Sequence, residues 1–155
     1  MARALANRGD QVVAYDNNLT GTPRNLVDLA GKAEIVDGDV TDLSHLLRTI
    51  QQHKVNRIIH GGAIASMLPS LQRPTLAVQV NIVGAVNILE AMRLFPIERC
   101  IHISSEEAYG DARGDPIRED QHLEPVTHYG ASKEAVEHLS RAYGRFLGTD
   151  RKSVV

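Results

Sequence analysis

Tyr129 and Lys133, a phenol and a primary amine four residues apart, are the most reactive pairing in this chain, within His128-Tyr129-Gly130-Ala131-Ser132-Lys133. The following residues, Glu134 to Tyr143, read as a helix, and side chains at i and i+4 share one helix face with Cβ atoms about 5–6 Å apart. An ammonium beside a phenol favours the phenolate, so the pair suits proton transfer. A free tyrosine ionises near about 10, and working near neutrality needs a drop of about 3 units, or about 4 kcal/mol. The same spacing also occurs on ordinary surface helices, so the pair points to chemistry only in company. Its company is two hydroxyls and two acids, Ser104-Ser105-Glu106-Glu107, with Asp16, Asp39 and the Gly61-Gly62 pair further upstream.

The elements that must position these residues alternate in type. Met1 to Gly9 has the composition of a helix end, with the glycine placed to stop it. Gln11 to Asp16 is a short apolar strand ending in an acid, and Asn17 to Pro23 is turn chemistry before a short helix over Arg24 to Ala30. Ala33 to Asp37 predicts a second strand, and Thr41 or Asp42 can cap a helix with Leu43, Leu46, Leu47 and Ile50 on one face. Val55 to His60 predicts a third strand with a tight exit at Gly61-Gly62-Ala63, a long helix follows Pro74, and Cys100 to Ile103 predicts a fourth strand. A long segment broken by Gly110, Gly114, Pro116 and Pro125 leads to the helix of Tyr129 and Lys133, which runs to about Phe146. This alternation predicts an α/β fold, a doubly wound parallel sheet with helices on both faces. Ligands of such sheets bind at the carboxyl ends of the strands, where Asp16, Asp39, Gly61, Gly62, Ser104 and Ser105 all fall.

Composition narrows the function. The chain has 155 residues, 43% of them hydrophobic, and a net charge of −2. That is enough for one domain with a sizeable core, and there is no basic run to suggest nucleic acid or a membrane surface. The apolar runs fall short of a membrane span and no signal peptide opens the chain, which predicts a cytoplasmic protein. Cys100 is the single cysteine, expected as a small buried residue rather than a nucleophile. The seven histidines form no zinc pattern, so no metal is expected.

An acid at the end of the strand following a helix is how a Rossmann fold grips an adenosine ribose, and a carboxylate there would repel the extra phosphate of NADP. Asp16 fits that place, as it also fits a turn with Asn17 and Asn18. Asp39 and Val40 could frame an adenine edge or simply enter a helix, and Gly61 and Gly62 could admit a ligand to the backbone or make a turn. Taken with Asn81-Ile82-Val83-Gly84-Ala85-Val86-Asn87-Ile88-Leu89-Glu90-Ala91, Ile103-Ser104-Ser105-Glu106-Glu107-Ala108-Tyr109-Gly110 and Tyr129-Gly130-Ala131-Ser132-Lys133, these marks resemble the NAD-dependent epimerase/dehydratase family, the extended branch of the short-chain dehydrogenases/reductases. The resemblance covers nearly all of residues 1–148.

The resemblance implies NAD as cofactor and a nucleotide sugar as substrate. Tyr129 resembles the general base that takes a hydroxyl proton while hydride leaves for NAD. Lys133 resembles the group that lowers the tyrosine pKa and binds the nicotinamide ribose, and Ser105 resembles the hydroxyl that orients the reacting oxygen. Ser104 is its structural neighbour, and Asn81 resembles the family's helix asparagine, with a helix-start role as the other reading. Asp16, Asn17, Asp39, Val40, Gly61, Gly62 and Ala63 are the implied cofactor contacts. Glu106 and Glu107 could divide acid and base duties in water elimination, which tilts the expectation toward a dehydratase, or could be a solvated acidic pair. A homodimer through the helices near Thr75–Leu94 and Tyr129–Phe146 is also implied.

The chain departs from the family in two ways. No GxxGxxG turn occurs in the 155 residues, although that turn would bring a pyrophosphate to a helix N-terminus. Residues 149–155 read as an atypical tail where an apolar strand and a substrate domain are expected. These departures predict a Rossmann domain over 1–148 that is truncated at both ends, with little or no activity on its own. An NAD-dependent alcohol or amino-alcohol dehydrogenase and a non-enzymatic dinucleotide-binding protein remain alternatives.

Overall fold

Gly9 is the first residue whose backbone dictates the path of the chain. Its φ of 94° is left-handed, a region that glycine enters without the Cβ penalty. The amides of Gly9 and Asp10 close helix α1 (Ala2–Arg8) on Ala6 O and Leu5 O. The chain then enters β1 (Val12–Asp16). The computed structural model describes residues 1–65, 67–111 and 116–146.

Pro23–Leu29 forms a 3-10 helix rather than the short α-helix expected there, with Thr22 accepting from Arg24 N at its start. Arg3 of α1 ties to it through Asp28 and through Asn25 O at 2.6 Å. Strand β2 (Ala33–Asp37) pairs in parallel with β1, from Val12 opposite Ala33 to Asp16 opposite Asp37. Asp42 caps α2 (Leu43–Gln52) by accepting from His45 N at 2.9 Å. Strand β3 (Arg57–His60) starts two residues later than its apolar run suggests, because Lys54 adopts a left-handed φ of 50° and turns the chain first.

The helix after Pro74 is preceded by a short helix, α3 (Met67–Gln72), that the sequence pattern did not announce. The long helix itself has three parts: α4 (Pro74–Val78), a π-helical turn over Gln79–Val83 and α5 (Gly84–Leu94). At 21 residues with a mean hydropathy of 1.4, Pro74–Leu94 is long and apolar enough to cross a membrane, yet 56% of its apolar window is buried inside the fold. That is the position of a core helix, and it explains a hydropathy higher than the short apolar runs suggested. Strand β4 (Arg99–His102) pairs in parallel with β3, placing His60 opposite His102. A 3-10 turn over Glu106–Tyr109 and helix α6 (His128–Phe146) complete the described chain. The tail expected from residue 149 lies outside the described residues.

The four described strands hydrogen-bond as two parallel pairs, β1 with β2 and β3 with β4. One core serves both. Leu46 and Ile50 of α2, Ile88, Leu89, Ala91 and Met92 of α5, and Ile97 and Cys100 form it, with Tyr15 of β1, Ile58 of β3 and Leu139 and Tyr143 of α6 packed against it. Cys100 is 4% exposed and burial pushes its thiol up to about 12, so it serves packing rather than nucleophilic chemistry. A second, smaller cluster of Ile64, Ala77 and Val80 packs under Val40. It fixes the exits of β2 and β3 against the long helix.

Candidate functional site

Every candidate residue sits at the carboxyl end of a strand or on a helix that crosses those ends. At the β1 exit, Asp16 is exposed and accepts from Asn18 N at 2.7 Å through one carboxylate oxygen, Oδ1. Asn17 reaches across to the β2 exit and donates to Asp39 Oδ2 at 2.8 Å. Asp39 Oδ1 accepts from the amide and hydroxyl of Thr41. Burial pushes the Asp39 carboxyl up, but the bonds from Thr41 and Asn17 outweigh it and hold the group below its ordinary value. Tyr15 donates to Asp39 O at 3.0 Å and Asn87 of α5 donates to Val40 O at 2.8 Å, so this loop is braced from both sides.

The β3 exit is Gly61-Gly62-Ala63. A Cβ added at Gly61 would meet only Ile103 Cγ1, at 3.9 Å, and at Gly62 would make ordinary contacts of 3.4 Å or more. Protein packing therefore does not demand either glycine. Both are exposed, and what they leave is bare backbone at a strand end.

Asn81, in the π turn, is 2% exposed. Its Oδ1 accepts from Ile64 N at 2.7 Å, and its Nδ2 donates to Ile64 O at 3.3 Å and to Ser132 Oγ at 2.9 Å. Ser132 in turn donates to Tyr129 O at 2.7 Å. The asparagine amide thus joins the β3 exit loop to the α6 turn that carries Tyr129, with all its hydrogens directed to protein partners.

Ser104, Ser105 and α6 form the other half of the site. Thr127 caps α6 by accepting from Gly130 N at 2.9 Å, and its hydroxyl donates to Glu107 Oε2 at 2.7 Å. Gly130 packs on the backbone of that 3-10 turn, where an added Cβ would lie 2.2 Å from Glu107 O. Tyr129 and Lys133 are 9% and 3% exposed, and the Lys133 ammonium lies 5.6 Å from the tyrosine ring centre. Lys133 Nζ donates to Ile103 O at 2.7 Å, and burial holds its pKa below the ordinary lysine value.

Tyr129 departs from expectation. Burial raises its pKa most, the nearby Ser105 hydroxyl lowers it, and the charges of Glu107 and Glu106 raise it again, for a net rise. The anticipated lowering by Lys133 is not present in this state, because the phenol is buried beside two carboxylates while the ammonium is turned onto Ile103 O. Ser105 itself donates to Glu106 Oε2 at 3.0 Å.

The chain therefore brings Ser105, Tyr129, Lys133, Glu106 and Glu107 into one cluster, and Asp16, Asn17, Asp39 and Val40 into another. Thr127, Ser132 and Glu137, which hold the first cluster, were not among the predicted site residues. Thr127 carried a signal, being a hydroxyl residue one place before a helix start, as did Ser132 inside the Tyr-Lys stretch. A pair of histidines, His60 and His102, lies buried at the β3 and β4 ends with ring centres 5.3 Å apart. Among the described residues no three His, Cys, Asp or Glu side chains gather as metal ligands.

Comparison with known proteins bears on this geometry. The family model described as GDP-mannose 4,6 dehydratase matches residues 1–152. A UDP-glucose 4-epimerase from Lacticaseibacillus casei is 32% identical over 146 residues, which cover 92% of this chain and 43% of that enzyme. The crystal structure of UDP-glucose 4-epimerase from Thermotoga maritima with UDP-glucose superposes with a TM-score of 0.88 at 25% identity, over 94% of this chain and 47% of that one. The Brucella ovis UDP-glucose 4-epimerase in complex with NAD gives 0.87 at 30% identity, over 95% and 44%. The chain spans somewhat less than half the length of these relatives.

Proposed function

The chain belongs to the NAD-dependent epimerase/dehydratase family of extended short-chain dehydrogenases/reductases, and on that premise we propose that it carries the cofactor and proton-transfer half of a nucleotide-sugar epimerase site. The observation that carries this reading is the Tyr129 ring 5.6 Å from the buried Lys133 ammonium, which is itself bonded to Ile103 O two residues before Ser105 at the end of β4. NAD, when bound, supplies a hydride acceptor that can later return the hydride.

The residues fit that group. Asp16 is exposed and keeps Oδ2 clear of its Asx turn, which suits two vicinal ribose hydroxyls. Asn17, Asp39 and Val40 form the braced rim where an adenine edge would rest, and Gly61, Gly62 and Ala63 offer the bare backbone over which the dinucleotide would pass. Asn81 serves by holding this loop against α6. Lys133 has two ammonium hydrogens left after Ile103 O, enough for a nicotinamide ribose, and Ser104 anchors the strand exit below.

Tyr129 is the base in this reading. It takes the hydroxyl proton of a sugar carbon at Oη as the carbon loses hydride, and returns it when the ketone is reduced. Ser105 orients the reacting oxygen. Glu107 is held by Thr127 and Glu106 by Ser105, so each carboxyl is already engaged by a neighbouring hydroxyl rather than left free for the acid and base steps of an elimination. That favours epimerisation over dehydration. Val78, Val83 and Phe146, apolar and 47%, 44% and 80% exposed, support a homodimer through the Pro74–Leu94 helix and α6. The buried, unreactive thiol is consistent with a cytoplasmic setting.

Isothermal titration with NAD and NADP tests the reading. The 155-residue chain is expected to bind NAD weakly, since no GxxGxxG turn is present to hold the pyrophosphate, and to bind NADP more weakly still. Asp16→Asn should erase the preference, and Tyr129→Phe should retain binding. Indifference to both dinucleotides would refute the cofactor assignment, and turnover of UDP-glucose by the chain alone would overturn the expectation that it is inactive.

A further inference from the structure

Glu137 stands one turn beyond Lys133 on α6 and is 4% exposed. A buried carboxylate is strongly unfavourable unless its oxygens are filled, and both are. Ser104 Oγ donates to Oε1 at 2.7 Å, and Arg141 Nη2 donates to Oε2 at 2.7 Å. An apolar side chain would pack here without that desolvation, so the charge calls for another explanation.

The explanation lies in what the carboxylate holds. Lys133 tethers residue 103 of the strand exit through its carbonyl, and Glu137 tethers residue 104 through its hydroxyl. The two tethers come from side chains one helical turn apart. A single tether would fix a distance and leave the strand end free to pivot. Two, on consecutive residues, also fix its direction. The residue they aim is Ser105, the next in the chain, whose hydroxyl lowers the pKa of the Tyr129 phenol. Glu137 is eight residues from Tyr129, about 12 Å along the helix axis, too far to touch the phenol itself.

We propose that Glu137 is a positioning residue, which anchors Ser104 so that Ser105 stays in register with Tyr129. Arg141, half-exposed at the helix surface, pairs with the carboxylate and holds it turned inward. The inference rests on the reading of Tyr129 as the base, and it adds a residue that acts on the base through the strand exit.

The test reads the phenol directly, without cofactor. The chain is labelled with 13Cζ-tyrosine, and the Tyr129 resonance is assigned by its loss in Tyr129→Phe. Ser104→Ala and Glu137→Leu, each of which removes the tether, should each raise the Tyr129 titration midpoint by about half a unit or more, as the Ser105 hydroxyl shifts away from the phenol. Tyr143, which bonds Glu90 instead, should not move. Ser104→Thr, which keeps the hydroxyl, should restore the parent midpoint. An unchanged Tyr129 midpoint in the folded variants, or an equal shift of all four tyrosines, would overturn the proposal by showing a purely structural role. If Glu137→Leu fails to fold, Ser104→Ala decides, since it leaves the Glu137–Arg141 pair intact. Absence of NAD binding in the parent chain would remove the cofactor reading and leave the titration result standing.

Discussion

The Tyr129 phenol, the base of the proposed reaction, lies between one hydroxyl that lowers its pKa and two carboxylates that raise it. Burial and the charges of Glu106 and Glu107 hold the Tyr129 pKa up, and Ser105 alone pulls it down. Glu106 is the more readily separated of the two acids, because it is exposed and its contact is with Ser105, whereas Glu107 also braces Thr127 at the start of α6. Glu106→Gln keeps an oxygen for the Ser105 hydroxyl and removes only the charge. Its expected effect is a downward shift of the Tyr129 midpoint, by about half a unit for a partly solvated charge, with little change in thermal stability. The tyrosine 13C titration used above measures it. An unchanged or raised midpoint would show that the Glu106 charge is not felt at the phenol.

At the scale of elements, the site depends on how closely α6 approaches the 3-10 turn Glu106–Tyr109. That approach needs Gly130. A methyl group there would lie 2.2 Å from Glu107 O and 2.8 Å from Glu107 C, which are backbone atoms that cannot rotate aside. Gly130→Ala should therefore destabilise the fold by about 3 kcal/mol, the scale of overpacking in a tight contact, and should move Tyr129 away from Ser105. Gly144→Ala on the same helix meets nothing within 4 Å and should be neutral or stabilising by about 0.5–1 kcal/mol. Urea unfolding of the pair separates close packing from helix propensity. The contrast also shows what was legible beforehand. Strand ends, the Asp42 cap and the apolar face of α2 follow from periodicity and turn chemistry, and with them the place of the candidate site. The π turn, α3 and the 3-10 segments do not, because they arise from packing between distant segments. Asn81 shows this: its side chain joins residues 17 positions back and 51 positions ahead, and no local pattern records such a bond. Lys133 was legible as a partner of Tyr129, but its turn onto Ile103 O was not.

For the whole molecule, the telling feature is a core shared by two parallel strand pairs with a pair of neutral imidazoles where the core meets the site. His60 and His102 face one another across the β3–β4 register, 4% and 5% exposed, and the Nε2 atom of each has no hydrogen-bond partner among the described residues. Burial, then the neighbouring His102 and Lys133 charges, push His60 down to about 3, and burial with Lys133 pushes His102 down to about 4. In the unfolded chain both rings titrate near about 6.5. Above that pH they are neutral in both states and exact no penalty. As pH falls below it, the unfolded chain takes up protons that the folded chain refuses, so stability drops by up to about 1.4 kcal/mol per pH unit for each ring. The decline should continue until the folded-state values near 3 and 4 are reached. These two are the histidines buried among the described residues, so the window below about 6.5 is assigned to them. Unfolding free energy measured in urea at a series of pH values should be flat above neutrality and fall steeply in mild acid. The double variant His60→Leu/His102→Leu should flatten that slope, since paired apolar replacement removes both the protonation and the unpartnered nitrogens. A slope that survives the double variant would move the acid sensitivity to the carboxylates, with Asp39, held below its ordinary value by Thr41 and Asn17, the first to examine.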